Sequence, residues 1–157
     1  MIQVNQPMPE GELQERKNGE TTTYNTLTLF SDKKVVLFAV PGAFTPTCSE
    51  SHLPGFVVKA DEFKAKGVDQ IICLSVNDAF VMSAWGEAQN AENITMLADG
   101  DGSYTQKLGL EMATGAFGGL RSQRYAMIID DGVVTGLFVE KPKEFTASTA
   151  ENVLANL

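Results

Sequence analysis

Two short apolar runs constrain this chain more than any other feature. Lys33–Val40 (KKVVLFAV) and Gln70–Val76 (QIICLSV) are rich in valine and isoleucine, and neither keeps the polar–apolar alternation of a half-solvated strand. Strands that read this way are covered on both faces. Pro41 and Gly42 end the first run. Thr45–Lys66, between the two runs, reads as helix with a break at Pro54-Gly55, where proline and glycine weaken helical structure. Strand, helix and strand in that order imply a sheet sandwiched between helices.

The remaining segments extend this pattern. Thr21–Phe30 alternates in part, as a half-buried strand does. Asp78–Ala88 predicts an amphipathic helix capped by Asn77 or Asp78. Ile94–Ala98 predicts a third short strand, and Ser103–Leu108 a short helix. Arg124–Ile129 and Val133–Val139 flank Asp130-Asp131-Gly132, an Asp-Gly hairpin signal. Thr149–Leu157 closes as a helix, with Ser148 as N-cap and Glu151 at capping-box spacing. Early alternation and a late hairpin predict an α/β fold with a mixed central β-sheet and helices on both faces. A thioredoxin-like sheet meets that description, as do other α/β sandwiches. No repeat or long linker interrupts the pattern, so residues 1–157 are expected to form a single domain.

Composition excludes several classes of function. The net charge of −8 repels phosphates and anionic lipids, so neither nucleic acid nor a membrane is expected as partner. No apolar run is long enough to span a bilayer. Met1–Gly11 has neither a basic start nor a long apolar stretch, so a cytoplasmic location is expected. Two cysteines, Cys48 and Cys73, do not make a disulfide scaffold, and both thiols are expected free in a reducing compartment. The one histidine, His52, excludes multi-histidine metal sites within one chain.

The stretch that carries chemistry is Val40–Phe56, VPGAFTPTCSESHLPGF. Thr45 can cap a helix with Pro46 at its first position; Thr47 with Glu50 offers a competing cap. Either register puts Cys48 in the first helical turn, at the carboxyl end of a central strand. Free N–H groups and the helix dipole there favour an anion, and helix N-termini favour the thiolate. Cys48 is therefore either a reactive thiolate or a small buried hydrophobe. His52, four residues on, shares its helix face; a Cys–His pair also suits a cysteine hydrolase, though no third orienting residue stands at recognisable spacing.

Pro41, Thr45 and Cys48 match the P-x-x-x-T-x-x-C signature of the peroxiredoxins. The longer PGAFTPTCSESHLPGF resembles the version found in the subfamily of mammalian peroxiredoxin five and bacterial glutaredoxin-linked peroxiredoxins. Ser75–Asp78 (SVND) and the Arg124-Tyr125 pair match as well. The resemblance covers nearly the whole chain. It implies a thiol peroxidase, or a peroxide sensor sharing its first step, in which the Cys48 thiolate attacks hydrogen peroxide or an alkyl hydroperoxide and becomes a sulfenic acid. It further implies that Thr45 hydrogen-bonds thiolate and peroxide, that Arg124 stabilises the developing charge, and that Pro41 shields the sulfur. The backbone N–H groups of Thr47 and Cys48 would complete the donors. Arg121 could replace or support Arg124, and His52 could play a supporting part.

Cys73 has apolar neighbours on both sides and is expected to be buried and inert. No cysteine follows it, so the resemblance implies a one-cysteine cycle reduced from outside, by glutathione with or without glutaredoxin, or by thioredoxin. No cofactor or metal is expected. Phe44, Phe80, Trp85 and Phe117 either fill the core or form a partner surface. The subfamily implies a homodimer.

Overall fold

The computed structural model describes residues 1–157. Nine strands and six helices follow in the order β1 (Glu12–Lys17), β2 (Glu20–Asn25), α1 (Thr26–Leu29), β3 (Lys34–Val40), a π-helical turn (Cys48–His52), α2 (Leu53–Val58), α3 (Ala60–Ala65), β4 (Gln70–Ser75), α4 (Ala79–Ala88), β5 (Thr95–Ala98), α5 (Ser103–Leu108), β6 (Glu111–Ala113), β7 (Leu120–Ser122), β8 (Tyr125–Asp130), β9 (Val133–Val139) and α6 (Ala150–Ala155). The central sheet has seven strands ordered β2-β1-β5-β4-β3-β8-β9. Its middle is parallel, β5-β4-β3, and its flanks are antiparallel. β6 and β7 form a separate small ribbon. No helix is long and apolar enough to cross a membrane.

The unbroken apolar runs of β3 and β4 are explained by two cores, one on each face of the sheet. Val36, Phe38 and Val40 of β3 and Cys73 of β4 face one core, which also holds Cys48, Leu53, Phe56, Phe63 and Trp85. Val35, Leu37 and Ala39, with Ile72 and Leu74, face the other, with Phe30, Tyr104 and Leu108. Strand period two then decides which side chains approach Cys48. In β8, Ala126 and Ile128 belong to the first core and Tyr125, Met127 and Ile129 to the second. Arg124, one residue before β8, thus falls on the Cys48 side.

Several local expectations are corrected. Thr21–Phe30 is not one strand: β2 ends at Asn25, whose side chain accepts from Leu27 N–H and caps α1. The helical segment after Cys48 does not break at Pro54-Gly55. Leu53 N–H already reaches back to Cys48 O across the π-turn, and Pro54 sits in the first turn of α2, where a missing donor costs little. The break comes at Lys59. Ser148 does not cap the last helix. Thr149 does, accepting from Asn152 N–H, because the Ser148 hydroxyl is held elsewhere.

Candidate active site

β3 delivers the chain to Pro41, and the next three residues reverse it. Phe44 has φ of +64°, a conformation that costs a bulky residue about 1–3 kcal/mol and persists only where neighbours impose it. Ala43 N–H donates to Asn77 Oδ1 at 3.0 Å. The Ser75 hydroxyl lies 2.6 Å from the same oxygen and 3.1 Å from Val40 O. The SVND segment therefore ties the end of β4 to the loop that precedes Cys48.

Helical structure begins at Pro46, with Thr45 in the capping position. Ser49 N–H, donating to Thr45 O at 2.9 Å, closes the first turn and leaves the amides of Thr47 and Cys48 ahead of it. The Thr45 hydroxyl does not cap; it donates to Gly42 O at 2.7 Å and makes no bond to the sulfur. Thr47 is exposed and makes no side-chain cap.

Cys48 is fully buried, and Arg124 Nη2 donates to its Sγ at 3.1 Å. Arg124 Nη1 lies 2.9 Å from His52 Nδ1, and His52 Nε2 lies 3.0 Å from Ser148 O. A guanidinium only donates and a carbonyl only accepts, so Nδ1 is an acceptor and the ring proton is on Nε2. Burial, and then the facing Arg124 charge, push His52 down to about 3. The ring packs against Phe38 (centroids 5.0 Å apart), Phe56 (5.8 Å) and Phe145 (5.1 Å). A neutral imidazole with both nitrogens engaged, and the guanidinium between it and the sulfur, does not serve Cys48 as a general base. His52 holds Arg124 instead, and the cysteine-hydrolase arrangement is absent.

Arg124 also lies over Phe145, its Cζ 5.8 Å from the ring centroid. Glu140, buried, anchors the loop that carries Phe145 and Ser148. Its carboxylate accepts from the N–H groups of Thr146 (2.9 Å), Ala147 (3.1 Å) and Ser148 (2.8 Å), and from the Ser148 hydroxyl (2.7 Å). Burial alone would raise its pKa, but these donors lower it from the ordinary value. A groove of about 350 Å³ opens beside Pro41 and Arg124, with Met112, Lys141 and Lys143 on its walls.

Arg121 does not reach Cys48. Its Nε donates to Gly118 O and its Nη1 to Val76 O, both at 3.0 Å, pinning the glycine-rich loop to the end of β4. Cys73 is fully buried in β4, and burial pushes its thiol well above the ordinary 9.0. Both cysteines are free. Trp85 is buried, and its Nε1 donates to Ser49 Oγ at 3.0 Å, beside Cys48. Phe44, Phe80 and Phe117 are exposed, so of the four aromatics only Trp85 is core. Glu140, Phe145 and the Ser148 carbonyl join the site although sequence reasoning singled out none of them for it. Their signal was the nearness of Arg124 to the far end of β9, which needs the strand register to be read. No group of three His, Cys, Asp or Glu side chains is placed to hold a metal ion.

Comparison with known proteins matches this architecture. The redoxin family model matches residues 3–154. Peroxiredoxin-2D of Arabidopsis thaliana is 48% identical over 159 aligned residues, covering 99% of this chain and 98% of that protein. Reduced Prx3 of Vibrio vulnificus, solved in complex with H2O2, is 64% identical with a TM-score of 0.98, covering 99% of both chains. Peroxiredoxin 5 of Alvinella pompejana is 33% identical with a TM-score of 0.84, covering 99% of this chain and 97% of that one. The chain belongs to the redoxin family, and within it to the peroxiredoxins, thiol peroxidases of thioredoxin-like fold.

Proposed function

We propose that this peroxiredoxin reduces hydrogen peroxide and small alkyl hydroperoxides with Cys48 as its only redox-active cysteine. The observation that carries the reading is the Arg124 guanidinium, which bonds the Cys48 sulfur with one arm and the neutral His52 ring with the other. The Cys48 thiolate attacks the terminal peroxide oxygen, the O–O bond breaks, and the leaving hydroxide or alkoxide takes up a proton. The sulfur is oxidised to a sulfenic acid. Arg124 offers fixed positive charge both to the thiolate and to the oxygen on which charge develops. The Thr45 hydroxyl turns from Gly42 O towards the peroxide, the amides of Thr47 and Cys48 add donors, and Pro41 screens the sulfur from water. That hydrogen peroxide occupies a protein so similar in structure supports the substrate.

An external thiol then attacks the sulfenic sulfur, water leaves, and a second thiol releases Cys48 from the mixed disulfide. Support comes from Cys73, which is fully buried in a central strand and so is poorly placed to resolve the sulfenic acid. The reductant is glutathione with glutaredoxin, or thioredoxin, in the cytoplasm. Two copies pair through exposed rings, Phe44, Phe80 and Phe117; a monomer by sedimentation at micromolar concentration would count against pairing. A peroxide sensor shares the oxidation step, so turnover with each reductant in turn separates the two functions. Sustained peroxide consumption with one reductant is expected. A single stoichiometric oxidation with every reductant would leave a sensor.

A further inference from the structure

Arg124 is fixed by a closed circuit of hydrogen bonds that begins and ends on it. Its backbone carbonyl accepts from Glu140 N–H at 3.0 Å. The Glu140 carboxylate accepts from Ser148 N–H at 2.8 Å, the Ser148 carbonyl accepts from His52 Nε2 at 3.0 Å, and His52 Nδ1 accepts from Arg124 Nη1 at 2.9 Å. The second guanidinium arm is then left on the sulfur. Each link constrains the next. An imidazole can offer Arg124 an acceptor only if its proton sits on the other nitrogen, and a carbonyl facing Nε2 favours that tautomer before the guanidinium arrives. The Ser148 carbonyl stays there because Glu140 gathers the amides of residues 146–148 and the Ser148 hydroxyl onto one carboxylate. Only a carboxylate can do this. Glutamine at the same place would present N–H donors to N–H donors.

We propose that Glu140 is a positioning residue for the peroxidase. By holding the 146–148 segment it makes the Ser148 carbonyl select the His52 tautomer, and that tautomer orients Arg124 on Cys48. Glu140 itself touches neither peroxide nor sulfur. The inference rests on the proposed peroxidase role of Cys48 and Arg124, and adds a control of its rate from a residue outside the motif.

The test is a double-substitution cycle with a spectroscopic readout on the full chain. Glu140→Gln is expected to slow peroxide oxidation of Cys48 by up to about a hundredfold, the penalty of a misplaced reacting group. Nitrogen NMR of His52 should report the Nε2–H tautomer in the native protein and a mixture of tautomers in Glu140→Gln. In a His52→Leu background the same substitution should cost almost nothing further, because the link it acts through is already gone. Independent effects at the two positions, or an unchanged His52 tautomer in Glu140→Gln, would overturn the inference. If Glu140→Gln does not fold, Glu140→Asp takes its place in the same cycle, with a shorter reach to the same amides. A native protein whose Cys48 does not react with peroxide defeats the peroxidase reading. A native protein that reacts and a Glu140 variant that reacts equally fast defeat only this inference.

Discussion

His52 and Ser148 stand 96 positions apart in the sequence and meet at 3.0 Å, ring nitrogen to backbone carbonyl. The contact gives the imidazole, packed among Phe38, Phe56 and Phe145, a carbonyl acceptor on its Nε2 side. It also settles which ring nitrogen can receive Arg124. A residue that looks from sequence like a partner for the cysteine is, in the fold, a partner for the arginine.

Stability should therefore depend on pH. The folded His52 is held down to about 3, whereas an unfolded histidine titrates near the ordinary 6.5. Between these values the unfolded chain binds a proton that the folded chain does not, so stability rises with pH across the window and is lost as pH falls through it. The limiting slope is about 1.4 kcal/mol per pH unit. Glu140, whose pKa is lowered, works in the same direction at the acid end, below its ordinary 4.5. Urea unfolding from pH 7 down to pH 4 measures the slope. His52→Leu should flatten it between pH 6.5 and 5; an equal slope in the variant would assign it to other groups.

Arg124→Ala should slow oxidation of Cys48 by hydrogen peroxide on the order of 10²- to 10³-fold, the usual penalty for removing a preorganised donor from developing negative charge. Arg124→Lys should recover little, because an ammonium cannot span Cys48 Sγ and His52 Nδ1 in one plane as the guanidinium does. Arg121→Ala should cost far less, since its bonds go to Gly118 O and Val76 O. Equal losses in the Arg121 and Arg124 variants would remove the distinction between them.

Asn77→Ala should destabilise the protein by about 1–3 kcal/mol, by stranding the Ala43 amide, while the Ser75 hydroxyl keeps Val40 O as its acceptor. The positive φ at Phe44 loses its support in the same step. Thermal or urea unfolding gives the first effect. Faster hydrogen exchange at Ala43 gives the second, and unchanged protection there would show that Asn77 does not hold the loop.

Cys73→Ala should retain peroxide turnover with whichever external thiol serves the native protein. Its cost should appear in stability alone, from the space left in the core that Cys73 shares with Phe38 and Trp85. Turnover lost with folding intact would mean that Cys73 resolves the sulfenic acid.

Much of this arrangement is legible without coordinates because local chemistry specifies it. KKVVLFAV and QIICLSV must lie between two cores, and a helix opening at Thr45-Pro46 must lift Cys48 to the edge of a parallel sheet. Strand parity even puts Arg124 on the side of Cys48 once Ala126 and Ile128 are taken as facing that core. Glu140 is different. The Asp131-Gly132 turn sets the pairing at Asp130↔Val133, and a regular ladder from there would bring Val139 opposite Arg124. The register shift between Ile128 and Ile129 inserts one residue, pairs Ile128 with Gly136 and Tyr125 with Val139, and so brings Glu140 opposite Arg124. One extra residue in a strand moves each later side chain to the other face. Gly136 inside VVTGLFV is the one hint of the bulge, and it does not point to Glu140, so the carboxylate that anchors the site reads in sequence as an ordinary surface charge. Ser148 is misread as a cap for a related reason: Ser148 and Thr149 are both good caps, and only the buried Glu140 decides between them.

The most direct measurement locates the oxidised sulfur. Reduced protein mixed with one equivalent of hydrogen peroxide and a sulfenic-acid trap, then digested and read by mass spectrometry, should carry the trap on Cys48 alone. Arg124→Ala should carry far less at the same short time. Label on Cys73, or label on Cys48 that appears equally fast without Arg124, would contradict a thiolate poised for peroxide by that guanidinium.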